Sequence, residues 1–293
     1  MARASALGEL ASRVTPANIA ATRAALADPD PMVRIGALDM LESVPAGQVW
    51  SYASPLLSDP VRGVRIRAAS LLASIPAASQ PPADRARFDQ AAAEFITAQR
   101  SNAERPEART SLGNFLTRRG QTTDAEAEYK AALKLSPQYA PAAINLADLY
   151  RQLGRDSDGE VILRAALAAA PRDAAAHHAL GLTLTRLKRS DDALAELRIA
   201  AELDPERSRY AYVYAVALHS SGHRDQAMTL LNEALKGHPN DKDVLAALVS
   251  FNRVAGDAGA ALSYAERLAA ITPDDRNLAA LIAELRRQTG KSN

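Results

Sequence analysis

The sequence predicts an all-α protein, an α-solenoid of helix-turn-helix repeats. Three observations predict it. Prolines recur at Pro137, Pro171, Pro205, Pro239 and Pro273, each 34 residues after the last. Glycines keep a second place in the same frame, at Gly120, Gly154, Gly222 and Gly256, with Lys188 in the remaining position. Alanine supplies roughly a fifth of the chain, and alanine forfeits no side-chain entropy in a helix. A fixed period of this length marks stacked supersecondary units, none of which can bury its apolar face alone.

The first 76 residues carry a shorter period of 31. Asp28, Val33, Arg34, Ala37, Leu41 and Pro45 are matched by Asp59, Val64, Arg65, Ala68, Leu72 and Pro76. Each set reads as an Asp-Pro turn followed by a helix. Subtracting 31 once more lands on Arg3, Ala6 and Leu10. The chain is therefore expected to begin inside the second helix of a truncated unit. Leu7 and Leu10 would then share an apolar face for an upstream domain or a partner to cover.

Residues 77–105 read as a linker with one helix. Ala91, Phe95 and Ala98 fit the second helix of the 34-residue unit one period upstream, so 82–101 is expected to pack as a half-repeat. Five full repeats follow: 106–139, 140–173, 174–207, 208–241 and 242–275. Small residues recur where two antiparallel helices must approach closely. One series is Gly113, Ala147, Gly181, Ala215 and Val249. Another is Ala125, Gly159, Ala193, Ala227 and Ala261, and a third is Ala132, Ala166, Ala200, Ala234 and Leu268. Glycine can take a positive φ and close the first helix. Thr122, Asp156 and Ser190 are then placed to cap the second, which the proline ends. Residues 276–293 read as a capping helix and tail, with Leu278, Leu281, Ile282 and Leu285 on one stripe.

Composition excludes several chemistries. The 293 residues hold 35 Lys+Arg against 34 Asp+Glu. That balance lacks the basic excess of a nucleic-acid binder, so no nucleic-acid partner is expected. There is no cysteine, hence no disulfide, thiolate zinc site, iron–sulfur cluster or covalent haem. No apolar run approaches 18 residues, so no membrane insertion is expected. The start lacks the apolar core of a signal peptide. A cytoplasmic location is expected, or a periplasmic one if the chain is part of a longer exported protein. Gly290-Lys291-Ser292 lacks the upstream glycine and strand of a phosphate-binding loop. No pair among the five histidines has i, i+4 spacing with a carboxylate to complete a metal site. No catalytic residue, metal site or cofactor is assigned, and the chain is not expected to be an enzyme.

The 34-residue unit resembles the tetratricopeptide repeat family, whose helix pairs stack into a right-handed superhelix. The large aromatic usual near the start of the first helix is replaced by Arg109, Ala143, His177, Ala211 and Leu245. The fifth repeat departs most, with Val249 and Leu268 at small positions. The 31-residue unit is similar to HEAT-type repeats. That resemblance implies that Asp28, Asp59, Arg34 and Arg65 tie turns to neighbouring helices. The order of the two repeat types resembles the C-terminal scaffold of some bacterial multihaem cytochrome-like proteins, whose haem motifs are missing here.

The family resemblance implies a non-catalytic protein–protein interaction scaffold that holds a partner segment on the face lined by the first helices. By register the candidate contacts are Asn114, Arg118, Arg151, His178, Arg186, Arg209, Tyr212 and His219. Arginine suits carboxylates through its planar, bidentate donors, so the expected partner is a protein or peptide with acidic groups. The family's clamp for chaperone tails keeps its two asparagines, Asn114 and Asn145. Thr110, Ala175 and Ala179 stand at its three cationic places, so that mode is not expected. Of three nearby tyrosines, Tyr214 takes a buried leucine place and Tyr212 points towards the groove. The alternative function is a C-terminal accessory scaffold of a larger enzyme or multihaem electron-transfer protein whose active domain lies upstream.

Overall fold

The structure, a computed structural model, describes residues 16–44 and 46–290. Among the described residues there are sixteen α-helices and no strand. The chain divides into two compact units, Met1–Asn145 and Leu146–Asn293. The expected truncated repeat at Arg3, Ala6, Leu7 and Leu10 lies outside the described residues, as does Pro45.

The first unit holds α1 (Pro16–Ala25), α2 (Pro31–Met40), α3 (Ala46–Ala53), α4 (Arg62–Leu72), α5 (Pro82–Arg100), α6 (Pro106–Arg118) and α7 (Thr122–Leu135). The 31-residue register appears in its arginines. Arg34 Nη1 donates to the carbonyls of Asp28 and Pro29 at 2.6 and 3.1 Å. Arg65 Nη1 does the same with Asp59 and Pro60 at 2.7 and 3.2 Å. Each then reaches an acid further along the chain. Arg34 meets Asp59 at 2.8 Å, and Arg65 forms a fork with Glu94 on α5 at 2.9–3.2 Å. The expected ties are present, and each arginine thus fastens its own turn to the next layer.

Aromatic packing joins α3, α5 and α6. Trp50 and Phe88 are buried with ring centroids 6.0 Å apart. Phe95 stacks on Phe115 at 4.5 Å. Trp50 Nε1 donates to Asp84 Oδ2 at 2.9 Å. That bond, with help from Arg87 and Ser54, holds the Asp84 carboxyl below the usual range against the opposing effect of burial.

The second unit begins inside α8 (Ala140–Gln152) and continues with α9 (Asp156–Ala169), α10 (Ala174–Arg186), α11 (Ser190–Leu203), α12 (Ser208–Ser220), α13 (Arg224–Gly237), α14 (Lys242–Ala255), α15 (Ala258–Ile271) and α16 (Arg276–Gln288). The helix pairs follow the 34-residue frame. Gly154, Gly222 and Gly256 close first helices with φ of 70°, 87° and 79°, and Lys188 adopts 61° in the same place. The chain thus accepts the left-handed conformation there even without glycine, at a steric cost.

The caps differ from expectation. Thr122, Asp156 and Ser190 are the first helical residues of α7, α9 and α11, and the residues before them offer no side-chain cap. The cause is the turn itself. After each left-handed residue, the next N–H returns to a carbonyl five residues back: Gln121 to Leu116 at 2.9 Å, Arg155 to Tyr150 at 2.8 Å, Arg189 to Leu184 at 3.0 Å. That bond brings the helix start one residue earlier and leaves the cap place to Gln121, Arg155 and Arg189. Carboxylate caps occur instead at Asp173, Asp241, Asp257 and Asp275.

Side-chain sizes compensate across each helix pair. A methyl group on Gly113 would lie 2.6 Å from the Tyr129 ring, and one on Gly181 would lie 2.6 Å from Leu197. In the fifth repeat the sizes are exchanged. Val249 fills the small place, and Ala265 replaces the large residue opposite, both buried in one cluster with Leu278 and Ile282 of α16. The missing aromatic near each first-helix start is compensated too. Arg109 donates to Ala103 O at 2.9 Å and to Glu128 at 2.8 Å. His177, two repeats on, is buried and contacts the equivalent pair, Pro171 O at 3.1 Å and Glu196 at 2.6 Å. Where the first place is Ala143, Ala211 or Leu245, the acid's place holds Ile162, Leu230 or Tyr264.

Candidate partner-binding face

The candidate residues divide between the two units. In the first, Asn114 and Arg118 lie on α6. Asn114 Oδ1 accepts hydrogen bonds from Tyr129 Oη and Asn145 Nδ2, both at 2.8 Å. Its carbonyl is a bridge between helices. Arg118 Nη1 donates to Ser70 O at 3.3 Å.

The second unit holds the other six, and they are not equivalent. Arg151 pairs with Asp148 at 2.8 Å on its own helix. Arg186 pairs with Asp156 at 2.7 Å and donates to Thr183 Oγ1 at 3.1 Å. Arg209 is exposed and, among the described residues, forms no hydrogen bond or ion pair. It is the uncommitted cation of the series.

Arg209 acts electrostatically on His178. The His178 ring packs 4.8 Å from that of buried Tyr210, and its Nδ1 is buried without a partner. Burial, followed by the nearby Arg209 charge, lowers its pKa to about 4. The ring is therefore neutral at pH 7. Further along α12, Tyr212 is half-buried against the core, and the half-buried His219 stacks on Phe251 at 3.8 Å. Tyr214 is half-buried, and Tyr210 is the ring sealed in.

Two features escaped the register argument. Phe251, absent from the candidate list, supports His219, a contact that only the packing reveals. A crevice of about 220 Å³ opens between α10, α11 and α12, floored by residues including Leu197, Val213 and Ala217. Among the described residues no group of three His, Asp or Glu could hold a metal ion, and no helix is long and apolar enough to cross a membrane.

A family model described as Tetratricopeptide repeat matches residues 116–187 and again 184–250. A second model of the same description matches 83–140, beginning within α5. No curated protein gives a significant match. Among solved structures, the chain resembles PilW, described as a widely conserved type IV pilus biogenesis factor. The TM-score is 0.56 at 19% identity, over 80% of this chain and 99% of that one. It also resembles pilF of Pseudomonas aeruginosa, with TM-score 0.51 at 23% identity over 66% of this chain and 95% of that one. A repeat protein from Parabacteroides merdae gives 0.52 at 17% identity, over 64% and 74%. At these identities the likeness is one of fold.

Proposed function

Because the chain belongs to the tetratricopeptide repeat family, we propose that it is a non-catalytic scaffold holding an acidic protein segment against the first-helix face of its second unit. The observation that carries this reading is the contrast between Arg209 and its neighbours. Arg151 and Arg186 already have carboxylates, whereas Arg209 has none and stands beside a neutral His178. A carboxylate arriving there meets a cation that need not give up an internal partner. Tyr212 and the His219–Phe251 stack supply contact area at little entropic cost. The first unit contributes less under this reading, since the Asn114 carbonyl is committed to Tyr129 and Asn145.

The test is charge reversal on a partner recovered by affinity capture. Arg186→Glu with Arg209→Glu is expected to weaken binding at least tenfold. Arg164→Glu with Arg198→Glu, on second helices, should change it less than twofold. Equal effects from the two pairs reject the face.

A further inference from the structure

The crevice between α10, α11 and α12 gives the proposed partner a sequence pattern. Its floor is apolar: Leu197 is buried, and Leu194, Val213 and Ala217 are half-buried. Its rim carries the exposed Ser190, Ser220 and Ser221, whose hydroxyls form no hydrogen bond among the described residues. A volume of about 220 Å³ accepts a leucine- or phenylalanine-sized side chain, and free hydroxyls at the rim suit the backbone of an extended segment, whose N–H and C=O groups need partners.

Arg209 fixes the second point. It lies on the same helix as Ala217, eight residues towards the N-terminus, which at helical rise is about 12 Å. An extended chain covers about 13 Å in four residues, and residues four apart project to the same side. We infer that the partner is an extended segment carrying an apolar side chain for the crevice and an Asp or Glu four residues away for Arg209. The inference rests on the scaffold reading above and adds to it the occupant of the crevice and the spacing of the two anchors. The charge complementarity is local: His178, on which the Arg209 charge acts, is neutral at pH 7 and brings no competing ion pair.

The experiment is selection of a phage-displayed random dodecapeptide library on the full chain, repeated with Arg209→Glu and with Ala217→Leu, which fills the crevice. Circular dichroism and melting establish that the Ala217→Leu variant is folded. The exposed Arg209→Glu variant carries the test if it is not. The wild-type chain is expected to enrich peptides with a large apolar residue and an acid four apart, in either order, at least tenfold over the input. Arg209→Glu should abolish the acid preference and keep the apolar one, and folded Ala217→Leu should do the reverse. Enriched peptides without that pairing, or a pairing that survives Arg209→Glu, overturn the two-anchor inference and leave the scaffold reading standing. Selection of no peptide by the wild-type chain overturns both.

Discussion

Gly181 lies directly beneath Leu197, so close that a methyl group added to it would fall 2.6 Å from Leu197 Cγ. Gly159, in the preceding repeat, faces Ala147 with its hypothetical methyl at 3.5 Å, an ordinary contact. The two glycines occupy helix interiors, yet only one is required by its neighbour.

Gly181→Ala should therefore destabilise the chain by about 1–3 kcal/mol, since the core must shift to admit it. Gly159→Ala should stabilise it by about 0.5–1 kcal/mol, because glycine in a helix interior carries an entropic cost that alanine lacks. Urea titrations followed by circular dichroism give both values. Shifts of the same sign would contradict the packing described.

The exchanged pair in the fifth repeat predicts non-additivity. Val249→Ala alone opens a cavity and Ala265→Leu alone overfills one, each costing about 1–3 kcal/mol. Made together, they reproduce the arrangement of Ala215 and Leu231 one repeat earlier. The double variant should be more stable than the sum of the single effects by about 1 kcal/mol or more. A simple sum in the double-mutant cycle would show that the two side chains do not share a space.

His178 gives a pH dependence whose sign is fixed. Its pKa is lowered from 6.5 to about 4 in the folded chain, so between those values the unfolded chain binds the additional proton. Stability from this group is intact above about pH 6.5 and declines as pH falls towards 4. At pH 5 the loss is on the order of 1 kcal/mol after allowance for partial exposure. His178→Gln should flatten the difference between stabilities measured at pH 7 and pH 5. An unchanged difference in that variant would assign the slope to other groups.

The repeat frame was legible because it rests on single positions with narrow requirements. A left-handed turn selects glycine, a close helix approach selects a small residue, and proline stops a helix. The 31-residue period likewise marks Arg34 and Arg65 as equivalent positions, and the resemblance to HEAT-type repeats implies their role as ties, whereas the pairing of Arg34 with Asp59 and of Arg65 with Glu94 is visible only in the structure. Compensation was harder to see, because it involves two positions changing together. Arg109 and His177 depart from the family pattern in sequence, and Glu128 and Glu196, which lie opposite them, supply the compensation. The helices start at Thr122, Asp156 and Ser190, one residue earlier than caps at those positions would require, because a backbone bond, which leaves no mark on side-chain identity, sets the start. On the candidate face, register identified which residues share a side but not which were already engaged. The Arg186–Asp156 pair spans 30 residues of sequence, and Arg209 became distinct only once the other arginines had found their partners.

Trp50 has a practical consequence. It is the single tryptophan of the chain, and it sits in the first unit with its indole N–H on Asp84. Indole emission therefore reports locally, on the layer where α3 meets α5, whereas far-ultraviolet ellipticity averages over every helix. Repeat arrays can lose cooperativity as they lengthen. Superimposed optical and ellipticity melts would describe a chain that comes apart in one event. An emission change that leads or trails the ellipticity would resolve the N-terminal layers as a separate thermodynamic entity, with no label added to the protein.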